Sequence, residues 1–278
     1  MYNAIYLGSS AEACDYIHCH DNFNVIAVVC EKKMVNSDLL TCCFLRGIPL
    51  VEIEVYEDLL QAFEERKGSF ELAIMYIFGI IMRQSILQNH KIYNIHMGYL
   101  PHYKGRNSTF FATIKGEKSI GISLHEVIPK IDEGRIIARR KVPYYFWMGE
   151  TELRGRLICE ILPLLDQLSL FLCDPDFKYI ENNHAHYYAP ITDDMINISV
   201  DMPVNMILNI IRTQQAYRGA RFIHESQSFF VNSAKVERWD NIGAQYIKEE
   251  TGVVLSAGKI TGIAINEQYC LLFTDIHC

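Results

Sequence analysis

The sequence predicts an α/β fold with a mostly parallel sheet and helices on both faces, followed by a smaller region of β-strands. Near the N-terminus, strands that are apolar along their whole length alternate with amphipathic helices, which is typical of a covered parallel sheet. A predicted hairpin and a long helix come next. Beyond a polar connector, short strands divided by Gly, Ser and Asn indicate a separate β barrel or sandwich.

The N-terminal part of this pattern can be followed element by element. A buried strand ends at Gly8, and Ser10 is the candidate N-cap of the helix after it. A second strand follows at Asn24–Glu31, an amphipathic helix at Tyr56–Glu65 and a third strand at Phe70–Phe78. Free backbone N–H groups at the first helix would favour an anion after Gly8. The Gly-x-Gly-x-x-Gly fingerprint is absent, so we predict no dinucleotide cofactor.

The later elements set the predicted domain boundaries. A hairpin is predicted at Ser119–Val127 with Arg135–Tyr144, and a long helix opened by a Thr cap is predicted at Thr151–Cys173. A polar connector follows at Asp174–Asp194, and a short helix follows at Met202–Gln215. The strands that remain lie after this last helix. We therefore predict an N-terminal domain at residues 1–190 and a β-rich C-terminal domain at residues 200–278.

Composition limits the classes of function. With 278 residues, 50% of them hydrophobic, the chain can bury a substantial core, and its apolar runs fall short of the ~20 residues that span a bilayer. No secretory signal is visible, and the nine cysteines show no metal-ligand spacing, so we predict a soluble cytoplasmic protein with reduced thiols and no metal. The net charge of −7 disfavours a nucleic acid as the main partner.

One short stretch places polar groups where chemistry could occur. In the apolar segment "KIYNIHMG", a strand would project Asn94 and His96 to the same face, near the carboxyl end where open α/β sheets bind ligands. Asp132 lies 36 positions beyond His96 in a predicted turn. Such residues also commonly satisfy local backbone groups. His125 is interpreted as a packed core histidine, and the connector histidines, His184 and His186, as solvated or structural.

The stretch from Asn94 to Ile137 resembles the signature of the folate-dependent formyltransferases. Asn-x-His, Leu-Pro-x-Tyr-Lys-Gly, Gly-Ile-Ser-x-His and Asp-x-Gly follow one another in the order of that family. "MILNIIRTQQAYRGARFI" resembles the start of the C-terminal domain of methionyl-tRNA formyltransferase and of several sugar N-formyltransferases. The resemblance implies a Rossmann-like catalytic domain, a small OB-like C-terminal domain, and N10-formyltetrahydrofolate as the formyl donor.

The resemblance also implies roles for individual residues. The catalytic trio of the family falls on Asn94, His96 and Asp132. The segments expected to bind the folate supply Phe78, Gly79, Ile80, Ile81, Met82, Ile86, Ile128 and Ile131. The residues expected to contact the acceptor are Ser9, Ser10, Tyr103, Lys104 and Asn107. In this reaction an amine must be neutral to attack, so His96 would take a proton while Asn94 stabilises the oxyanion and Asp132 supports the imidazolium.

The resemblance alone leaves four acceptors open, which are tRNA-bound methionine, a glycinamide nucleotide, water and an amino sugar carried on a nucleotide. The glycinamide enzymes of the family lack a C-terminal β domain, and its formyl-folate hydrolases begin with a regulatory domain that is not seen here. Seven Lys and Arg against eight Asp and Glu from Val200 to Cys278 offer no basic face for tRNA. We therefore predict a nucleotide-linked amino sugar as the acceptor, in surface glycan or O-antigen biosynthesis. Methionyl-tRNA formylation is the alternative, and a non-catalytic folate- or sugar-binding protein is the alternative of another class. A homodimer is left open, and no membrane association is expected.

Overall fold

The computed structural model describes residues 1–183 and 186–277, so that His184 lies outside the described residues. By their contacts, the residues form two compact units. Unit 1 comprises Met1–Ser108, Ser119–Pro143 and Gly155–Tyr188, and unit 2 comprises Thr109–Lys118, Tyr144–Arg154 and Ala189–Cys278. The predicted division into domains at residues 1–190 and 200–278 stays a prediction. In the described part of the chain, no helix has the length and apolar character that crossing a membrane requires.

Unit 1 contains nine strands in two sheets. They are β1 (Tyr2–Gly8), β2 (Phe23–Glu31), β3 (Leu50–Ile53), β4 (Leu72–Tyr76), β5 (Lys91–His96), β6 (Lys104–Gly105), β7 (Ser119–Glu126), β8 (Ile136–Pro143) and β9 (Tyr187–Tyr188). The main sheet has the order β3-β2-β1-β4-β5-β7-β8, and β6 pairs with β9 separately. The first five strands of the main sheet run parallel, whereas β7 and β8 are antiparallel to their neighbours. The predicted fold class is confirmed for this part of the chain.

Eight α-helices and three short 3₁₀ helices are described across both units. The α-helices are α1 (Ala11–His18), α2 (Ser37–Arg46), α3 (Tyr56–Glu64), α4 (Gln84–Leu87), α5 (Ser108–Ile114), α6 (Glu150–Ile158), α7 (Ile161–Cys173) and α8 (Val204–Gln214). The 3₁₀ helices are Lys32–Met34, Asp193–Ile196 and Trp239–Asn241. Ser10 caps α1 as predicted, because its hydroxyl accepts a hydrogen bond from the Ala13 N–H at 3.2 Å.

The single long helix predicted at Thr151–Cys173 is wrong, because the structure has α6 and α7 with a break at Cys159–Glu160. The physical cause is Pro163. Proline has no N–H, and its ring would clash with the carbonyl four residues earlier, which belongs to Cys159. Thr151 is also not a cap, because α6 already includes Glu150. Helix α2 and strand β3 were not predicted from the sequence. β3 forms one edge of the main sheet.

The core of unit 1 lies against the strands that the sequence showed as apolar throughout. All five residues of β4 are buried, as are the last five of β1. Side chains from these strands pack with α3 and α4 in one cluster that includes Leu59, Phe63 and Ile86. Burial on both faces explains why these strands carry no alternation of polar and apolar residues.

Unit 2 is built on a seven-stranded, mostly antiparallel sheet. Its strands are β10 (Asn197–Ile198), β11 (Ala220–His224), β12 (Gln227–Arg238), β13 (Tyr246–Lys248), β14 (Val253–Ser256), β15 (Lys259–Ala264) and β16 (Tyr269–His277). In the sheet they stand in the order β10-β11-β12-β16-β15-β14-β13, and only the β10–β11 pairing is parallel. α8 packs on this sheet through Ile207, Ile210 and Ile211. The predicted β-rich C-terminal region is confirmed.

Candidate active site

The candidate site lies in unit 1 at the carboxyl end of β5. Alternation along this strand puts Asn94 and His96 on the same face, as the sequence predicts. The antiparallel neighbour β7 aligns His125 with Asn94 and Ser123 with His96. Paired residues on adjacent strands project to the same side. Two rows of polar side chains therefore meet at this edge of the sheet.

His96 is buried, and its hydrogen bonds fix which nitrogen carries a proton. Nε2 lies 2.8 Å from the carbonyl oxygen of Tyr103. Because a carbonyl can only accept, Nε2 is the donor, and Nδ1 holds the lone pair in the neutral ring. Burial lowers the pKa of His96 below its usual value, although Asp132 and the Tyr103 carbonyl act in the opposite direction. His96 is therefore neutral near pH 7 and ready to accept a proton at Nδ1.

Asp132 is the carboxylate that faces this lone pair. Its Oδ2 lies 3.6 Å from Nδ1 of His96 and accepts a hydrogen bond from the Gly105 N–H at 2.8 Å. Burial alone would raise the pKa of Asp132, but the two neighbouring histidines and the Gly105 N–H outweigh burial and hold that pKa well below its usual range. Asp132 is therefore ionised, and a proton arriving on His96 would meet a negative charge.

His125 was interpreted from the sequence as a packed core residue, and the structure corrects this interpretation. The ring is buried as expected, but its Nε2 lies 3.1 Å from the Asn94 amide nitrogen and 3.3 Å from Oδ1 of Asp132. Nδ1 donates to the carbonyl of Glu126 at 2.7 Å, which leaves Nε2 of the neutral ring as an acceptor for Asn94. Nε2 of His125 thus accepts from Asn94 and lies next to the Asp132 carboxylate.

Comparisons with known proteins show the family of this chain. A model of the formyl transferase family matches residues 10–157, which is just over half of the chain. The chain belongs to the formyl transferase family. Members of this family are folate-dependent enzymes. The match includes the whole stretch from Asn94 to Asp132.

Three relatives illustrate the breadth of the family. The methionyl-tRNA formyltransferase of Thermosipho melanesiensis is 23% identical over 214 residues, which cover 73% of this chain and 69% of the relative. HypX from Aquifex aeolicus, solved with tetrahydrofolic acid, has a TM-score of 0.70 at 16% identity over 98% of this chain, which spans 43% of HypX. A 4-N formyltransferase from Francisella tularensis has a TM-score of 0.66 at 16% identity and covers 82% of this chain and 95% of its own. The two structural likenesses show a shared fold.

The residues that the formyltransferase signature assigns to the folate fall into two classes. Ile81, Ile128 and Ile131 expose 59%, 39% and 41% of their surface, which is unusual for isoleucine. Met82 and Ile86 are buried in the core, while Phe78 and Ile80 are partly buried against the same cluster. The exposed isoleucines fit a flat, largely apolar ring. The others can only support that surface from behind, and folate binding by this set stays a prediction.

Glu31, at the end of β2, contributes to this region and was missed from the sequence. Its carboxylate accepts the Gly79 N–H at 2.8 Å. A Cβ atom on residue 79 would come within 2.9 Å of the same carboxylate, so a side chain there would displace the Glu31 carboxylate from its present position. Glu31 therefore holds the backbone of the predicted folate segment. Its distance of 48 residues from Gly79 gave no signal in the sequence.

Ser9 and Ser10 lie at the carboxyl end of β1, on the same edge of the sheet as β5. The Ser10 hydroxyl is used as the cap of α1, and the Ser9 carbonyl accepts a hydrogen bond from the Asn36 amide at 3.0 Å. Described hydrogen bonds therefore tie both residues to local structure and not to His96. Contact of these serines with an acceptor stays a prediction.

The loop after His96 holds the other residues expected to contact the acceptor. Tyr103 provides the carbonyl that fixes His96, and its ring stacks on Tyr188 with centroids 5.5 Å apart. Lys104 is buried, with Nζ 3.4 Å from the Asn182 carbonyl oxygen. Asn107 is exposed and has a left-handed backbone, with φ of 59°. The structure thus gives Tyr103 and Lys104 local partners, while a contact of any of the three with acceptor stays a prediction.

Proposed function

We propose that this formyltransferase transfers the formyl group of N10-formyltetrahydrofolate to the amine of a nucleotide-linked amino sugar. The observation that carries the proposal is the arrangement of a neutral His96 with Nδ1 facing an ionised Asp132, beside the Asn94 amide. The donor supplies an activated one-carbon group. The side chains of this chain supply a base, a countercharge and a hydrogen-bond donor at one sheet edge.

His96 is the proton acceptor in this proposal. An attacking amine must shed a proton, and neutralising an ammonium of pKa near ~10 at neutral pH costs about 3–4 kcal/mol. Nδ1 of His96 receives the proton, directly or through one water molecule, and Asp132 stabilises the imidazolium from 3.6 Å. The same proton can then pass to the nitrogen that leaves. Positioned proton transfer of this kind contributes roughly 10²–10⁴-fold to the rate.

Asn94 provides the donor for the charge that develops on the formyl oxygen. An amide nitrogen carries two hydrogens, and one of them is directed to Nε2 of His125 at 3.1 Å. The second hydrogen is then oriented without further cost. A donor held in this way contributes about 3–4 kcal/mol in comparable sites. The neutral His125 ring thus orients Asn94.

Charge favours a small anionic acceptor over tRNA. The chain is acidic overall, but Arg139 and Lys141 on β8 lie on the sheet face of His96, since Ser123 pairs with both His96 and Arg139. Each cation lies 4.3 Å from the Tyr99 ring centre, and no ion pair with a carboxylate is described for either in residues 1–183 and 186–277. Two cations suit the diphosphate of a nucleotide sugar, whereas a tRNA needs a wide basic surface.

Methionyl-tRNA is the second candidate acceptor, because the similar curated proteins include methionyl-tRNA formyltransferases. Purified protein should be assayed with N10-formyltetrahydrofolate against TDP-, UDP-, GDP- and CMP-linked amino sugars and, in parallel, charged initiator tRNA. We expect formylation of at least one nucleotide-linked sugar and none of the tRNA. Formylation of methionyl-tRNA alone would replace the sugar by tRNA and leave the site chemistry unchanged.

A further inference from the structure

We propose that Asn182, in the segment between α7 and β9, is a positioning residue that holds the turn carrying Asp132 in front of His96. This inference rests on the function proposed above, because it assigns a purpose to the place of Asp132. The sequence places Asn182 fifty residues beyond Asp132, in the segment predicted as a polar connector. In the structure this asparagine is 92% buried, with a relative exposure of 8%.

The amide of Asn182 joins two carbonyls of a single turn. Its Nδ2 donates to the carbonyl oxygen of Asp132 at 2.8 Å and to that of Gly134 at 2.7 Å. An amide NH₂ group has two hydrogens, so both bonds can exist together. They close around Glu133, and the turn cannot open without breaking at least one of them.

The turn needs such support because of its backbone. Asp132 has φ of 53°, in the left-handed region that residues with a side chain seldom adopt. Backbone of this kind persists when surrounding contacts over-determine it, and it is common at functional sites. The Gly105 N–H fixes the carboxylate at 2.8 Å, but it does not fix the main chain. Asn182 adds two hydrogen bonds to the main chain of the turn, beside the long backbone bond from the Glu133 N–H to the Lys130 carbonyl at 3.4 Å.

Asn182 is itself anchored to the loop that follows His96. Its carbonyl accepts a hydrogen bond from Nζ of the buried Lys104 at 3.4 Å, and the same Nζ lies 4.0 Å from the Glu133 carboxylate. A little further along the chain, β9 pairs with β6, and Tyr188 stacks on Tyr103. The connector therefore binds both the loop that orients His96 and the turn that presents Asp132.

A positioning role makes a specific prediction for the titration of His96. The titratable groups packed around the Asp132 turn are His96 on β5, His125 on β7, Lys104 on β6, and Glu133 in the turn itself. Asp132 supports the protonated form of His96 against burial. If the turn relaxes and the carboxylate moves away, the pKa of His96 must fall. A residue that only stabilised the fold would leave that pKa unchanged.

The test compares Asn182→Ala and Asn182→Ser with a matched control, Asn183→Ala, at the exposed neighbouring asparagine. The pKa of His96 is measured by NMR on the full chain with labelled histidine and no substrate. We expect the pKa to fall in Asn182→Ala, and to fall less in Asn182→Ser, whose hydroxyl can donate to only one carbonyl. We also expect about a 10²-fold lower kcat/KM for Asn182→Ala, since small misplacements have effects of this size.

The inference is overturned if Asn182→Ala keeps the His96 pKa of the wild type and a kcat/KM within twofold of it. The same conclusion follows if Asn183→Ala matches the loss in Asn182→Ala. Should Asn182→Ala not fold, Asn182→Ser decides by the same two criteria. The titration needs no substrate, so a wild-type protein that formylates no amino sugar would refute the proposed function and still leave the role of Asn182 to be judged by NMR.

Discussion

Asp132 in unit 1 and Glu150 in unit 2 are both buried carboxylates, but their partners differ. Glu150 accepts hydrogen bonds from Nε of Arg154 at 2.8 Å and from the Thr109 hydroxyl at 3.1 Å. Asp132 instead faces two histidines at 3.6 and 3.3 Å. Arginine keeps its proton at any physiological pH, whereas histidine exchanges it. The first arrangement neutralises a charge permanently, and the second can store and release a proton.

The two units also differ in where their non-glycine residues with left-handed backbone lie. In unit 1, the non-glycine residues with left-handed backbone are Ile77, Tyr103, Asn107 and Asp132, and two of them, Tyr103 and Asp132, contact His96. In unit 2, the non-glycine residues with left-handed backbone are Glu225, Ser226 and Ala257, and they occupy the turns of β-hairpins. Hairpin turns require this conformation for their geometry alone. Asp132 lies in the longer connection between β7 and β8, where no two-residue turn requires this conformation, and both Asp132 and Tyr103 contact His96.

The largest effect is expected for the substitution Asp132→Asn. Loss of the charge facing His96 should lower kcat by about 10³-fold, within the range of positioned proton transfer. Because Asp132 raises the pKa of His96 against burial, its removal should also move the acid limb of the kcat/KM profile to lower pH. Steady-state kinetics from pH 5 to pH 9 would measure both effects. A variant with kcat within tenfold of the wild type would contradict the assigned countercharge.

The next effect concerns His125, which accepts from Asn94 and lies next to Asp132. His125→Phe keeps a ring of similar size but loses the acceptor for the Asn94 amide. We expect kcat to fall about 10–100-fold while the KM for the folate changes little, because the loss affects orientation and not binding. An unchanged kcat would mean that His125 is only a packed core histidine, as the sequence suggested.

Glu150→Gln tests the other side of the comparison. The change removes the charge that pairs with Arg154 but keeps the size of the side chain, and Arg154 is one-third exposed. We expect the free energy of unfolding to fall by about 1–3 kcal/mol, with kcat per folded molecule within twofold of the wild type. Urea unfolding and kinetics would be compared with Glu250→Gln, at an exposed position of unit 2. A large loss of kcat without loss of stability would show that this carboxylate also serves the reaction.

The smallest effect is expected at the N-terminus of α2. Asn36 accepts the Leu39 N–H at 3.0 Å as a helix cap and donates to the Ser9 carbonyl at 3.0 Å. Asn36→Ala should lower the free energy of unfolding by about 1 kcal/mol. Since the side chains proposed to act in the reaction lie elsewhere in unit 1, kcat should stay within twofold of the wild-type value. Thermal unfolding measures the first value, and a loss above 3 kcal/mol would mean that the cap also organises the turn after β1.

Local sequence information was enough for the parts of the site that lie on one short stretch. Asn94 and His96 follow from strand alternation, and Asp132 from the signature that the stretch resembles. Pro163 also carried enough information to break the long helix, although the break was not predicted. In each case the physical cause lies within a few residues of the effect.

The contacts that were missed depend on residues far apart in the chain. Glu31 reaches Gly79 because β2 and β4 end at the same edge, and Asn182 reaches Asp132 because the connector returns to the sheet. His125 was assigned to the core because a histidine within an apolar strand is usually buried. Its pairing with Asn94 becomes visible only in the register of β5 and β7. Periodicity shows which face of a strand is buried, but the choice of the neighbouring strand depends on packing between elements that are far apart in the chain.

The central claim is that the side chains of β5 perform formyl transfer with His96 as the proton acceptor. The most direct measurement compares wild type and His96→Asn for formylation of nucleotide-linked amino sugars by N10-formyltetrahydrofolate, followed by mass spectrometry of the sugar product. We predict that the wild type adds one formyl group, while His96→Asn folds, binds tetrahydrofolate and forms no detectable product. Product formation by His96→Asn at a rate within tenfold of the wild type would contradict the claim.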